Sequence, residues 1–242
     1  MDHDPREDWR EDRTLVAVQE RLGGAEPAPW QPEPGRPLIA AGCFVAFARG
    51  EQGPGHAGDH AWCAAVLVDE HGRLRSGVVV PGLAGASYAP GMLARREGSM
   101  LLDALEALDG RPEVLLVDAT GRDHPRRAGL ALHLGAATDL PSVGVTHRPL
   151  VATGAEPVDP AVGATAPLFF DGEEVARWVR TRPGVKPLVA HAAWRTSVDV
   201  AVEVVLRTTG TARTPEPLRR ARCLAREARS EGLDHPVEQT FV

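Results

Sequence analysis

Residues 114–136 read VLLVDATGRDHPRRAGLALHLGA. An apolar run ends in one acid, Asp118, and His124, Pro125, Arg126, Arg127 and His133 follow closely. A carboxylate at the end of a buried strand sits at a sheet edge, where its oxygens can ligate a hard cation such as Mg²⁺. It can equally cap the strand end by accepting backbone N–H groups. Guanidinium groups beside it can hold phosphates through paired hydrogen bonds, or brace the acid in an internal lattice. The residue types leave both readings open.

These residues need a scaffold. Residues 12–23 carry the apolar spacing of a helix, closed by Gly23 and Gly24, and the prolines of 25–37 make a loop. Residues 37–48, 61–70 and 73–81 read as three strands joined by turn chemistry, which implies an antiparallel meander. An amphipathic helix is expected over 96–109, a buried strand over 112–118, a helix over 127–139 and a short strand over 142–146. PLFFD and EVARWVR suggest two more strands, 186–208 reads as a loop and then a helix from about Ser197, and 214–232 as a final helix. Three antiparallel strands followed by alternating parallel strands and helices is the order of a ribonuclease-H-like α/β fold, a mixed central sheet flanked by helices. The organisation expected is an N-terminal helix and proline-rich lead-in over 1–36, with a frayed end at 1–11, one domain over 37–232, and a tail over 233–242.

The chain has 242 residues, a net charge of −6 and 43% hydrophobic residues, so it can bury a substantial core without staples. Cys43, Cys63 and Cys223 are far apart and odd in number, which argues against a disulfide framework or a structural zinc and for a reduced, cytoplasmic protein. The first residues, MDHDPREDWREDR, lack the apolar core of a signal peptide, and no run reaches the length of a membrane helix. The acidic total gives no support to general nucleic-acid binding, but a local basic face is what matters. Arginines cluster at 95–96, 126–127 and 219–222.

Six motifs occur in order: LIAAGCFVAF, SYAPGMLARREGSMLL, VLLVDATGRDHPRRAGLALHLG, DLPSVGVTHRPL, KPLVAHAAWRTSVDVAVEVV and RTPEPLRRA. Together, over roughly residues 37–222, they resemble the endonuclease V family, which nicks nucleic acid near deoxyinosine or inosine. The resemblance implies a Mg²⁺ site in which Glu97 and Asp118 are metal-binding catalytic acids and His124 contributes. It implies that Tyr88, Pro90 and Gly91 form the wedge that separates strands and holds a flipped base, and that Arg126, Arg127, His147 and Arg148 contact nucleic acid.

The resemblance also marks departures. The family's first-strand metal Asp falls on Phe44, between Cys43 and Val45, and an aromatic ring cannot ligate Mg²⁺. The His of a GHR-type segment falls on Trp194. The basic pair after SVGV has become Thr146–His147–Arg148, and the glycine-rich turn after Asp118 has become Ala119–Thr120–Gly121. The expected function is therefore that of a Mg²⁺-dependent endonuclease with weakened or lost catalysis. The alternative is an inactive homologue that binds a nucleic acid, a nucleotide or a protein. An active site would need Mg²⁺ and a substitute ligand from Asp59, Asp123, His191 or Asp199; an inactive one would need no cofactor. The partner expected is DNA or RNA containing deaminated adenine, bound by a monomer with no membrane contact.

Overall fold

The computed structural model describes residues 3–50 and 53–240. Nine strands form one sheet in the order β6-β7-β8-β5-β4-β1-β2-β3-β9. The long antiparallel strands β1 (Ala40–Phe47), β2 (His60–Val68) and β3 (Leu74–Leu83) are the expected meander. β4 (Val114–Val117) runs parallel to β1, and β5 (Ser142–Thr146) parallel to β4. Beyond β5 the direction reverses: β8 (Leu188–Ala192), β7 (Glu173–Val179) and β6 (Thr165–Phe170) add in antiparallel fashion, so the parallel part is three strands wide.

Helices cover both faces. α2 (Asp12–Gly23), α3 (Ser99–Glu106) and α4 (Leu130–Thr138) lie on one, α5 (Val198–Arg207) and α6 (Glu216–Glu231) on the other. The period-two alternation of a strand assigns side chains to these layers. Ala41, Cys43 and Val45 of β1 enter the core under α3 and α4, whereas Phe44 and Ala46 pack with Ala221 and Ala225 of α6. Gly42 points the same way as Phe44 and lets α6 touch the sheet: a Cβ there would lie 2.4 Å from the Pro217 carbonyl carbon. This contact fixes how far along β1 the side chains of α6 reach.

Three segments differ from the sequence expectation. Residues 186–192, read as loop, contain β8, whose five residues are all buried. Pro187 and the flanking turn residues hid an interior strand that is too uniformly apolar to show a period. The supposed frayed end folds: Pro5–Asp8 makes one helical turn, α1, and Trp9 is 2% exposed, its indole N–H donating to Nδ1 of His133 at 3.2 Å. The supposed tail supplies β9 (Val237–Thr240), paired antiparallel with β3. Both ends thus join the core domain.

Gly42→Ala is expected to lower unfolding free energy by about 1–3 kcal/mol, because backbone rather than a yielding side chain meets the added methyl. Urea denaturation measures it, and an unchanged midpoint would contradict the close approach of α6.

Candidate functional site

β1 and β4 pair in parallel with Cys43 opposite Val117. The next residues, Phe44 in the middle of β1 and Asp118 just past the carboxyl end of β4, therefore stand side by side, near the strand ends where α/β sheets commonly bind ligands. Arg222 of α6 reaches across and donates from Nη2 to Oδ2 of Asp118 at 2.9 Å. Its guanidinium carbon lies 5.1 Å from the Phe44 ring centroid, and that of Arg226, one helical turn on, lies 5.9 Å from it. Glu97 enters from a π-helical turn, Ala94–Gly98, that precedes α3. Cys43, Phe44, Tyr88, Glu97, Leu101 and Asp118 line one cavity of about 310 Å³. Burial and the neighbouring Asp118 push the Glu97 carboxyl up to about 7, against the opposing pull of Arg96.

The donors do not suit a hard divalent ion. Mg²⁺ asks for several oxygens in near-octahedral order, yet the cavity offers two carboxylates, and Asp118 is already paired with a cation. No group of three or more His, Cys, Asp or Glu converges among the described residues. Burial raises the Cys43 thiol well above its ordinary value, so it supplies no thiolate either.

A second cavity, of about 180 Å³, adjoins the first through Tyr88, Leu93, Asp118 and Leu130. Its walls include Gly91, Ala119, Thr120, His124, Thr146 and Leu150. The rim residue Tyr88 is 50% exposed, as an aromatic that meets a base would be. His124 is a strut: Nδ1 accepts the Arg126 N–H at 3.1 Å, so Nε2 carries the proton and donates to the Gly91 carbonyl at 3.0 Å. Burial lowers its pKa, favouring the neutral ring. Gln19 of α2 donates to the same carbonyl at 2.8 Å and accepts from Arg126 at 3.0 Å. The HPRR loop, the SYAPG segment and α2 are thus joined around one carbonyl.

Other candidates fall elsewhere. Trp194 lines a groove with Trp9 and His133 on the α1 and α4 side, not the Glu97–Asp118 cavity. The end of β8 holds it there, through its N–H to Ser142 Oγ at 3.1 Å and its carbonyl to the Ser142 N–H at 2.9 Å. Arg127 turns to the β6–β7 hairpin, pairing with Glu173 at 2.5 Å and stacking near Phe170. His147 and Arg148 are exposed at the cleft edge, where Asp118 and Arg222 both act on the His147 charge. Pro90 is exposed in the SYAPG segment.

None of the substitute ligands lines the cavity with Glu97. Asp59 pairs with Arg96 at 2.9 Å, and Asp199 pairs with Arg177 at 2.8 Å on the surface. Asp123 is fully buried and accepts the N–H groups of Leu150, Val151 and Ala152 at 2.7–2.9 Å. His191 is equally buried, 3.6 Å from Asp123, and burial keeps it neutral by lowering its pKa.

Sequence reasoning missed Arg222, Arg226 and Gln19. Positions 222 and 226 share a helix face by i,i+4 spacing, and the C-terminal arginine cluster was visible, but nothing in one sequence tells which sheet edge that face meets.

Glu97 gives a pH test. Its ordinary value is 4.5 and its folded value about 7. The folded state is favoured by the proton below about 4.5, and that advantage is lost as pH rises through 7. Glu97→Gln should therefore change stability little at pH 4 and raise it by about 3 kcal/mol at pH 8 relative to the parent chain. Denaturant midpoints at both values decide it, and a pH-independent difference would contradict the raised carboxyl.

The family model for Endonuclease V matches residues 34–223. Endonuclease V of Methanopyrus kandleri is 42% identical over 175 residues, 72% of this chain and 75% of that one. Several further relatives of that name are matched over 60–64% of their own lengths. The crystal structure of Endonuclease V from Streptomyces avermitilis superposes with a TM-score of 0.80 at 35% identity, covering 92% of this chain and 94% of that one, and places the sheet in the ribonuclease-H-like class. Ciona intestinalis Endonuclease V, solved in complex with a 24mer DNA containing an inosine followed by a ribo-adenosine, shares the fold with a TM-score of 0.76 at 20% identity, over 92% of this chain and 100% of that one. By sequence and by fold alike, the chain belongs to the endonuclease V family.

Proposed function

We propose that this chain binds DNA or RNA carrying deoxyinosine or inosine and that its phosphodiester hydrolysis is weakened or lost. The observation that carries this reading is the Asp118–Arg222 ion pair lying over Phe44, in the space where a metal-dependent nuclease needs converging oxygens. An acid held by an arginine has fewer free lone pairs to offer a metal, and the guanidinium brings a like charge beside any cation that approaches. The binding side has its own support. The second cavity is concave, has apolar walls and a few polar groups, and carries Tyr88 at its rim. A flipped base needs an aromatic face and fixed backbone partners, and His124, Gln19 and Arg126 hold the Gly91 backbone in place. The Ciona relative's inosine-containing complex makes a deaminated base the first ligand to try.

The test pairs gel-shift binding with cleavage of labelled deoxyinosine DNA and inosine RNA, in Mg²⁺ and in Mn²⁺. Binding that prefers the deaminated strand over its adenine counterpart, with little or no nicking, is the expected result. Tyr88→Ala should weaken that binding by about 5- to 100-fold, the range of one lost base stack. Rapid nicking abolished by Glu97→Ala or Asp118→Ala would overturn the loss of catalysis. Equal affinity for adenine strands would overturn the base reading.

A further inference from the structure

We infer that Arg222 and Arg226 stand in for a divalent ion: together they hold a backbone phosphate of the bound strand directly, so that nucleic-acid binding is independent of metal. This rests on the nucleic-acid reading above and adds how the backbone is held.

Four observations support it. First, the two arginines occupy one face of α6, one turn apart, and both guanidinium carbons lie within 6 Å of the Phe44 ring centroid, at 5.1 and 5.9 Å. A flat aromatic under two guanidiniums limits their rotamers and leaves their N–H edges directed sideways, toward ligands. Second, Arg222 spends one N–H on Asp118. Its Nε is buried with no protein partner, and its side chain keeps 22% of its exposure. Third, Arg226 is exposed and makes no hydrogen bond or ion pair among the described residues, whereas Arg219, Arg220 and Arg222 on the same helix are each paired with an acid. Fourth, Phe44 and Asp118, the residues these arginines touch, line the first cavity, which shares Tyr88 and Asp118 with the second. A strand whose base enters the second cavity must lay its adjoining phosphate over the first.

The charges agree with this. In a metal site, carboxylates face the phosphate and an ion must screen them. Here Asp118 is neutralised by Arg222, and Arg226 adds an unpaired positive charge. Exposed Arg148 lies on the loop that follows β5, at the cleft edge. A phosphate meets guanidinium forks, which it can accept from in pairs.

The experiment measures fluorescence polarisation of a labelled single strand with one deoxyinosine, in EDTA and in Mg²⁺, over a salt series. Equal affinity in both buffers is expected. Arg226→Ala should weaken binding about tenfold, as expected for one charged hydrogen-bond contact, and reduce the salt slope by about 0.7. Arg226→Lys should keep the slope. Calorimetry with Mg²⁺ alone should show no binding to the parent chain, and the Phe44→Asp plus Arg222→Ala double variant should gain it. Binding that needs Mg²⁺, or an Arg226→Ala variant with unchanged affinity and slope, overturns the arginine inference and leaves the proposed function standing. Absence of binding in every buffer overturns both. Arg226 is exposed, so its variants fold and the inference stays testable even if the double variant does not.

Discussion

The Asp118–Arg222 pair is the contact on which the site depends. It exists because two independent placements coincide. The parallel pairing of β1 with β4 brings Phe44 beside Asp118, and the absence of a side chain at Gly42 lets α6 descend far enough for Arg222 to reach over both. The pair's side chains retain 22% and 30% of their exposure, so as an isolated contact it adds little to folding stability. Its effect is positional. It fixes the sign of the charge at the strand ends, and every nearby group responds to that sign. Glu97 is raised by burial and by the Asp118 charge against the pull of Arg96, and His147 is lowered by burial and Arg213, with Asp118 and Arg222 acting on it in opposite senses.

The other wall of the cleft is built on a different principle. Around the Gly91 carbonyl, a neutral histidine, an amide and an arginine satisfy one another with no unpaired charge. Asp123 does the same for the loop that follows β5, collecting three backbone N–H groups on one buried carboxylate. A buried carboxylate is costly unless its oxygens are filled, and here three donors fill them. Such networks rigidify the segments they join. The second cavity is therefore preformed, which would lower the ordering cost of the base uptake proposed above. Arg126 and Arg127 of the HPRR loop belong to this bracing, through Gln19 and Glu173.

Much of this was legible in the sequence, for physical reasons. The meander, the acid at the end of β4 and the amphipathic α3 and α6 carry strong periodicity, and periodicity survives without tertiary context. The motif order placed Glu97, Asp118, Tyr88 and His124 around one cleft, and the structure brings them together there. What was hidden depends on contacts between distant segments. β8 is buried on both faces and so has no alternation to read. Trp9 owes its burial to His133, far along the chain, and β9 owes its existence to the open edge of β3. The same limit explains Trp194 and Arg222. The family's His falls on Trp194, yet the turn after β8 places Trp194 in a groove with Trp9 and His133, and a helix no local rule could orient supplies Arg222 to the acids.

A net charge of −6 looks unfavourable for the polyanion binding proposed above. Long-range repulsion, however, is screened within about 10 Å at ordinary ionic strength, and what remains is the local field of the cleft. A metal-dependent site reaches a positive field by collecting acids and then overcompensating them with an ion, so its attraction for phosphate appears only when the ion is bound. The arrangement here reaches it covalently. One acid is cancelled by Arg222, a second cation is added by Arg226, and an aromatic ring beneath both keeps them from collapsing onto other carboxylates. Such a field is permanent, and it cannot activate water as a bound metal would. The proposed loss of cleavage and the proposed metal-free hold on a strand thus follow from one and the same substitution.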